Sequence, residues 1–198
     1  MLRAVSCRHQ DSSFVRMTIR CIATQAQITP NRGMLGGATE RPERPTVPPF
    51  GVKDRGMLKG IDPLLSPELL HTLAAMGHGD EIVVVDCHFP AVSSARRLIR
   101  LDGADLPSGA RAVLSVMPLD DFVDQPVAAM QMVDTPEIIP AVQQEVFDLV
   151  REAEGREVGV ERVERFAFYA RAREAFGIVV TGENRPYGCG IFKKGIVR

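Results

Sequence analysis

Four consecutive β-branched residues, Ile82–Val85, are the feature that most constrains the fold of this chain. Such a run fits a short strand that is buried on both faces of a sheet. Upstream, the Ser-Pro-Glu sequence at 66–68 predicts the start of a helix, and Gly77 fits the left-handed residue that ends one. His78 is therefore expected on the turn before the strand. Asp86 is expected at the carboxyl end of the strand, where ligands gather in open α/β sheets.

Helical and strand patterns alternate over residues 57–198, which we expect to form one domain. Further helices are predicted at 108–117, 135–154 and 164–175, strands at 127–133, 176–181 and 190–192, and a loop at 91–105. This alternation predicts an α/β fold, a single three-layer α/β/α domain with a mixed, mostly parallel sheet. No apolar run approaches the length of about 18 residues that a membrane span needs. The four cysteines form no C-x-x-C pair, which favours reduced thiols in a cytoplasmic protein.

Residues 1–56 differ in composition from the rest of the chain. They hold nine Lys/Arg, four Asp/Glu and five of the 14 prolines, a net charge of +5, whereas residues 57–198 carry a net charge of −6. This segment is expected to be a disordered basic extension. It could be an arm that touches nucleic acid, a transit-like targeting segment, or the product of a wrongly assigned start with translation beginning at Met57. The last alternative is favoured, and no nucleic-acid partner is expected.

Polar residues around the β-branched run suggest acid/base chemistry. His78 lies between two glycines, where a ligand can come close, and an imidazole exchanges protons near neutral pH. Asp80 and Asp86 could orient this ring or hold a polar ligand. The structural alternative is that His78 only caps a helix and Asp86 only caps a turn. A metal site that also uses Cys87 and His88 is the less favoured alternative, because neighbours on a strand point to opposite faces.

A second group of candidate residues lies near the C-terminus. The sequence at 181–190 places Tyr187, a hydroxyl on a flat ring, in a turn after a buried strand. Neither a phosphate-binding loop nor a dinucleotide fingerprint is present in the sequence. Arg165 opens the predicted helix at 164–175. The apolar face of this helix is predicted at Phe166, Tyr169, Ala170 and Ala175. The structural alternatives are a surface tyrosine and an ion pair of Arg165 with Glu161 or Glu164.

Five sequence words along residues 57–198 carry a family resemblance. They are LLSPELL at 64–70, MGHGDEI at 76–82, Asp86 with HFPA at 88–91, RFAFY at 165–169, and TGE at 181–183 with Tyr187 and Gly188. In this order they resemble the fucose mutarotase and ribose pyranase family. The words HFP at 88–90 and FAFY at 166–169 resemble its fucose branch.

The resemblance implies roles for particular residues. His78 matches the family's catalytic acid/base histidine, and Asp86 and Arg165 match sugar-binding residues. Tyr187 and Gly188 match the first two positions of a sugar-binding Tyr-Gly-Asn triplet, whose third position is Cys189 here. A thiol is a poor hydrogen-bond partner compared with an amide. The family also implies a homo-oligomer, commonly a ring-shaped decamer with sites near subunit interfaces, and no cofactor.

The implied reaction is the interconversion of the α and β anomers of L-fucose by acid/base ring opening and reclosure. The same reaction could extend to other pyranoses. His78 would transfer one proton, and either Tyr187 or water would transfer the second. The alternative function is a non-catalytic sugar-binding or regulatory module that uses the same pocket. A metal-dependent hydrolase is a more distant alternative.

Overall fold

The computed structural model describes residues 58–197, so the predicted extension and the predicted domain boundary at Met57 lie outside the described residues. Within this range the elements follow one another in the order α1 (Pro67–Ala75), β1 (Glu81–Val85), α2 (Ala91–Ser94), β2 (Leu98–Leu101), α3 (Leu106–Leu114), β3 (Val127–Met130), α4 (Ala141–Glu154), β4 (Val160–Val163), α5 (Arg165–Glu174), β5 (Gly177–Thr181) and β6 (Cys189–Lys193). Across residues 58–197, no helix is long and apolar enough to cross a membrane.

The strands form one six-stranded sheet in the order β2-β5-β1-β6-β3-β4. Strand β1 pairs in parallel with β5, β5 with β2, and β3 with β4. Strand β6 is antiparallel to both of its neighbours, β1 and β3. Five strands therefore run in one direction and β6 runs against them, which confirms the predicted mixed, mostly parallel sheet.

Helices cover both faces of this sheet, which confirms the three-layer arrangement. On one face, α1, α3 and α4 pack against alternate strand residues such as Ile82, Val84 and Val179. On the other face, α5 and α2 cover Val83 and Val85, the intervening residues of β1. The β-branched run is fully buried, as its composition predicts, because both sides of β1 lie in a hydrophobic core.

The start of α1 follows the prediction, but its end does not. The Ser66 hydroxyl accepts a hydrogen bond from the backbone N–H of Leu69 at 3.2 Å, and Pro67 is the first helical residue. The helix ends in extended backbone at Met76, and Gly77 is not left-handed. The left-handed residue is Gly79, two positions later, so the turn before β1 is longer than predicted.

Several other local predictions were wrong. Residues 91–105, predicted as a loop, contain α2 and the edge strand β2, and β4 was not predicted. Helix α4 begins after Pro140 rather than at 135. The buried side chains of α5 are Phe168 and Ala172, whereas Phe166 is 65% exposed. The missed elements α2, β2 and β4 have four residues each, and in such short segments sheet pairing and packing outweigh weak local patterns.

Candidate functional site

A cavity of about 230 Å³ lies at the carboxyl edge of the parallel strands. This volume is below the roughly 300–1,000 Å³ of pockets for drug-sized ligands and is suited to a smaller molecule. The ends of β1 and β3, the start of α5 and the turn before β6 all meet there. The lining residues are Asp86, His88, Phe89, Met130, Arg165, Tyr169, Pro186, Tyr187 and Cys189.

Asp86 follows the last residue of β1, and its carboxylate is held by backbone donors. One oxygen, Oδ1, accepts a hydrogen bond from the N–H of His88 at 3.0 Å, and Oδ2 accepts one from the N–H of Gly188 at 2.9 Å. Burial raises the pKa of Asp86, and these hydrogen bonds reduce but do not cancel that rise. A fixed, partly desolvated carboxylate of this kind is suited to accept hydrogen bonds from hydroxyl groups.

The turn before β6 brings Tyr187, Gly188 and Cys189 against Asp86. A Cβ atom on Gly188 would lie 3.3 Å from the Asp86 side chain, so glycine allows the close backbone approach. The Cys189 thiol is buried and lies 3.6 Å from Oδ2 of Asp86, a weak contact. Burial, with the nearby carboxylate of Asp86, raises the pKa of Cys189 well above its ordinary value. The thiol is therefore neutral and forms part of the apolar wall.

Arg165 is the first residue of α5, and the structure does not show the ion pair with Glu161 or Glu164 that was its structural alternative. Glu161 pairs with Arg171 at 2.5 Å, and Glu164 caps α5 by accepting the N–H groups of the two residues that follow Arg165. The Arg165 guanidinium lies 4.6 Å from the centre of the Phe166 ring. Its Nε is buried and has no hydrogen-bond partner among the described residues. Arg165 thus brings a cation to the cavity with donors still available.

Aromatic side chains and a second imidazole complete the cavity wall. Nε2 of His88 lies 3.0 Å from the carbonyl oxygen of Asn184, so Nε2 carries a proton. Tyr169 packs edge-on against Phe89, with ring centres 5.3 Å apart, and burial raises its pKa. His88 and Tyr169 were not predicted to line a cavity, although both fall within the words that carry the family resemblance.

The cavity-lining turn is tied to α4 by an ion-pair network. Glu183 is buried, and its carboxylate accepts the N–H of Arg185 at 2.9 Å and the guanidinium of Arg185 at 2.8 and 3.0 Å. The same guanidinium reaches Glu145 on α4 at 2.8 and 3.1 Å. The hydrogen bonds from Arg185 lower the pKa of Glu183 to about 2. Pro186 and Tyr187 follow directly on this anchored segment.

His78 lies at the opposite edge of the sheet, before β1, and does not line the cavity. At the usual rise per residue, β1 alone separates the two edges by roughly 13 Å. His78 is 43% exposed, its Nε2 lies 3.0 Å from Oδ1 of the buried Asp120, and its ring packs on Phe122 at 5.3 Å. Within one chain, the structure separates the predicted site residues into two sets.

Asp120 is the residue that orients His78, a role the sequence suggested for Asp80 or Asp86. Asp80 instead accepts a hydrogen bond from the N–H of Gly77 at 2.7 Å and closes the turn. Burial raises the pKa of Asp120, but hydrogen bonds from His78 and the N–H of Phe122 outweigh it and leave this pKa lowered. Asp120 lies 42 residues from His78 along the chain. No local pattern could have connected them.

The structure gives no support to the metal alternative. Among residues 58–197, no three His, Cys, Asp or Glu side chains come together in an arrangement that could hold a metal ion. Cys87 is exposed on the turn after Asp86, and the Nε2 atom of His88 is engaged by a carbonyl group. Asp86 and His88 both line the cavity, whereas Cys87, which lies between them, is exposed, so the three consecutive residues do not share one centre.

Residues 59–197 are similar in sequence to known proteins. A family model described as the RbsD/FucU transport protein family matches residues 59–197. An L-fucose mutarotase of Actinobacillus pleuropneumoniae serotype 5b is 45% identical over 140 residues, which cover 71% of this chain and 97% of the relative. An L-fucose mutarotase of Glaesserella parasuis serovar 5 is 46% identical over 140 residues, or 71% of this chain and 96% of the relative.

Two solved structures show the same fold. The fucose mutarotase of Streptococcus pneumoniae in complex with L-fucose superimposes with a TM-score of 0.67 at 38% identity, over 71% of this chain and all of that chain. The RbsD protein of Bacillus subtilis in complex with D-ribose gives a TM-score of 0.54 at 21% identity, over 72% of this chain and all of that chain. At that identity the second match concerns the fold alone.

Proposed function

Because the chain belongs to the RbsD/FucU transport protein family, we propose that it is a mutarotase that interconverts the α and β anomers of L-fucose. The observation that carries this proposal is the cavity in which Asp86, Arg165 and Tyr187, from three separate segments, surround a space suited to a small molecule. The relatives named L-fucose mutarotase support the choice of sugar.

Ring opening needs two proton transfers, and reclosure reverses them. A pyranose is a cyclic hemiacetal, so opening it requires a proton on the ring oxygen and loss of one from the anomeric hydroxyl. The C1–C2 bond of the open aldehyde then rotates, and the C5 hydroxyl that was formed from the ring oxygen attacks the other face of the carbonyl carbon. This hydroxyl loses its proton as the carbonyl oxygen gains one, which restores the hemiacetal. A positioned acid or base contributes roughly 10²–10⁴-fold to such a reaction. No redox step or leaving-group transfer enters this scheme.

The cavity offers matching groups for a 6-deoxy sugar. Asp86 and Arg165 supply an acceptor and a set of donors for the hydroxyl groups. An apolar wall is formed by Met130, Phe89 and the neutral thiol of Cys189. Such a wall suits the methyl group of the sugar and the face of its ring that carries C–H bonds. The hydroxyl of Tyr187 accepts a hydrogen bond from the N–H of Val133 at 3.4 Å, which leaves its own proton available to the substrate.

In this proposal a second copy of the chain supplies His78. The histidine belongs to an exposed surface with Phe122, which is 63% exposed. Beside the cavity lie two exposed apolar residues, Phe166 and Val133. Phe166 packs on Tyr169, and the N–H of Val133 contacts the hydroxyl of Tyr187. If the His78–Phe122 surface of one copy packs beside the cavity of another copy, the exposed apolar residues of both surfaces become buried. The imidazole of His78 then reaches the sugar in the neighbouring cavity. This arrangement agrees with the family expectation that sites lie near subunit interfaces.

Such a contact joins two different surfaces of the same protein. Interfaces of this head-to-tail kind form closed rings when the rotation between copies closes. Every copy then both gives its His78 and receives one. A ring-shaped homo-oligomer, with ten copies as the family expectation, therefore belongs to the proposal.

The contact between His78 and Asp120 selects the nitrogen that would react. An ionised carboxylate only accepts hydrogen bonds, and the pKa of Asp120 is lowered, so Nε2 of His78 is the donor in this pair. Nδ1 is then the nitrogen left to take or give a proton. In this proposal Asp120 holds the ring in one tautomer and one orientation, and Nδ1 serves the sugar.

Anomer exchange measured by NMR saturation transfer on L-fucose tests the activity. The protein should accelerate exchange, and His78→Asn should lower the rate on the order of 10²–10⁴-fold with its fold and assembly intact. Binding of L-fucose without accelerated exchange would instead support the sugar-binding module. An active His78→Asn protein would move the acid/base role to another residue.

The shared site has a separate test. His78→Asn and Arg165→Ala proteins, each inactive alone, should regain part of the wild-type exchange when they are dissociated, mixed and reassembled. In a mixed ring, some sites combine an intact His78 from one copy with an intact Arg165 from the other. No recovery in mixed oligomers that are shown to form would contradict a site built from two copies.

A further inference from the structure

Gln143 is a buried polar residue of α4 that joins two walls of the cavity. Its side chain is almost fully buried, and Nε2 donates to the carbonyl oxygens of Met130 and Tyr187, both at 2.7 Å. Met130 ends β3, and Tyr187 lies in the turn before β6. Both residues line the cavity, so one amide nitrogen fixes the distance between two of its walls.

The backbone that Gln143 holds is strained. Tyr187 has a φ of +62°, and within the described chain it is the one residue other than glycine with a positive φ. Bulky side chains rarely adopt this left-handed conformation, which persists only where the surroundings impose it. The Tyr187 carbonyl accepts from Nε2 of Gln143 and also from the N–H of Cys189 at 2.8 Å. These two donors fix the peptide group that aims the tyrosine ring at the cavity.

The other end of the same amide argues against a purely stabilising role. Oε1 of Gln143 is buried and has no hydrogen-bond partner among the described residues. A buried acceptor without a partner is unfavourable, and an apolar side chain of the same size would avoid it. Neighbouring inward positions of α4, such as Val142 and Val146, are apolar. Strained and unsatisfied groups of this kind concentrate at functional sites.

We propose that Gln143 is a positioning residue for the sugar site, which sets the separation of the Met130 and Tyr187 walls and holds Tyr187 in its left-handed conformation. This inference rests on the proposed function, because it concerns the same cavity. Gln143 does not line the cavity, so it acts on the sugar through the two segments that it joins.

The test compares Gln143→Met with Val146→Ala in the full-length protein. Methionine keeps the volume of glutamine and removes both donors, whereas Val146→Ala opens a cavity on the same buried face of α4 and leaves the two carbonyls bound. Exchange is measured over a range of L-fucose concentrations at a temperature well below both melting points. We expect Gln143→Met to lower kcat/KM on the order of 10–10²-fold, chiefly through KM, because two hydrogen bonds are lost.

Val146→Ala should keep wild-type kinetics even if its melting temperature falls as far as that of Gln143→Met. Unchanged kinetics in Gln143→Met, or an equal loss in Val146→Ala, would overturn the proposal. If Gln143→Met does not fold, Gln143→Glu replaces it. Burial raises the pKa of the new carboxyl group. Its ionised form repels the two carbonyl oxygens and its protonated form restores one donor, so its activity relative to wild type should rise from pH 9 to pH 5. A constant ratio would overturn the proposal.

Failure of the proposed function would be visible separately. If the wild-type protein does not accelerate exchange, the affinity for L-fucose measured by titration calorimetry takes the place of kinetics. Gln143→Met should then bind L-fucose on the order of tenfold or more weakly than both wild type and Val146→Ala. Equal affinities in the three proteins, or no measurable binding by any of them, would overturn the role of Gln143.

Discussion

Replacing Glu183 by Gln should loosen the turn that carries Tyr187 and lower stability in a pH-dependent way. The Glu183 carboxylate accepts three hydrogen bonds from Arg185, and its side chain is only 4% exposed. Gln keeps the shape of the side chain but offers a single acceptor, and its amide N–H groups would face the Arg185 donors. The variant therefore removes the charge and most of the bonds without opening a cavity.

The size of the effect follows from the pKa of Glu183. Its hydrogen bonds with Arg185 lower this pKa from 4.5 to about 2, and each unit corresponds to about 1.4 kcal/mol, so the charge contributes at most about 3 kcal/mol. Because the side chain of Arg185 is 43% exposed, solvent screening reduces this to about 2 kcal/mol. For a chain of this size, that corresponds to a fall of about 4–8 °C in melting temperature.

The sign of the pH dependence is fixed by the direction of the shift. The pKa of Glu183 is lower in the folded than in the unfolded protein, so its stabilisation is complete above pH 4.5 and is lost as the pH falls toward 2. Melting temperatures of wild type and Glu183→Gln, measured by circular dichroism at one fixed protein concentration, should therefore show the full difference at pH 7. The difference should be much smaller at pH 3. Asp102→Asn, which removes the exposed ion pair with Arg100, is the control and should change little at either pH.

A gap between wild type and Glu183→Gln that is equally large at pH 7 and pH 3 would refute this reasoning. The loss would then come from altered packing rather than from the charge. A gap at pH 7 no larger than that of Asp102→Asn would also refute it. That result would mean that Arg185 is satisfied by Glu145 alone.

Three further predictions concern the site and the chain as a whole. Asp120→Asn should lower L-fucose exchange on the order of 10–10²-fold with little change in KM, because Asp120 contacts His78 and not the sugar; a change confined to KM would contradict it. Cys189→Asn should keep or raise exchange, because an amide donates to Asp86 more strongly than a thiol; a large loss with the fold intact would contradict it. A chain that starts at Met57 should assemble and exchange as the full chain does, since the family match begins at residue 59, and light scattering would reveal a loss of assembly.

The sequence predicts those parts of the fold whose local signals agree with their surroundings. The β-branched run of β1 is buried on both faces, and the Ser66 cap and Gly155, left-handed at the end of α4, mark helix ends. Strands β2 and β4 have four residues each and alternate imperfectly, so their sheet partners decide them. The prediction of the buried face of α5 was wrong because any rule based on hydrophobicity assigns Phe166 to the core, whereas its side chain is exposed.

Without the family resemblance, local residue patterns could predict the candidate site only as a set of residue types. Asp86, Arg165, Tyr187 and Cys189 meet in one cavity because three strand ends and a helix start share one edge of the sheet. That meeting follows from strand order, which no local pattern reveals. The roles of Gln143 and Asp120 depend on contacts with residues 44 and 42 positions away along the chain, so residue spacing carried no signal for either.

The position of His78 follows from the same topology. A helix-to-strand turn must lie at the amino edge of a parallel sheet, and a cavity built from strand ends must lie at the carboxyl edge. With β1 between them, His78 and Asp86 belong to opposite edges in every folded copy of this chain. No loop movement that keeps β1 paired with β5 and β6 brings them together. If both act on one sugar, the protein reaches its active form only by assembly, and mutations at the Phe122 surface should abolish activity without touching the cavity of their own chain.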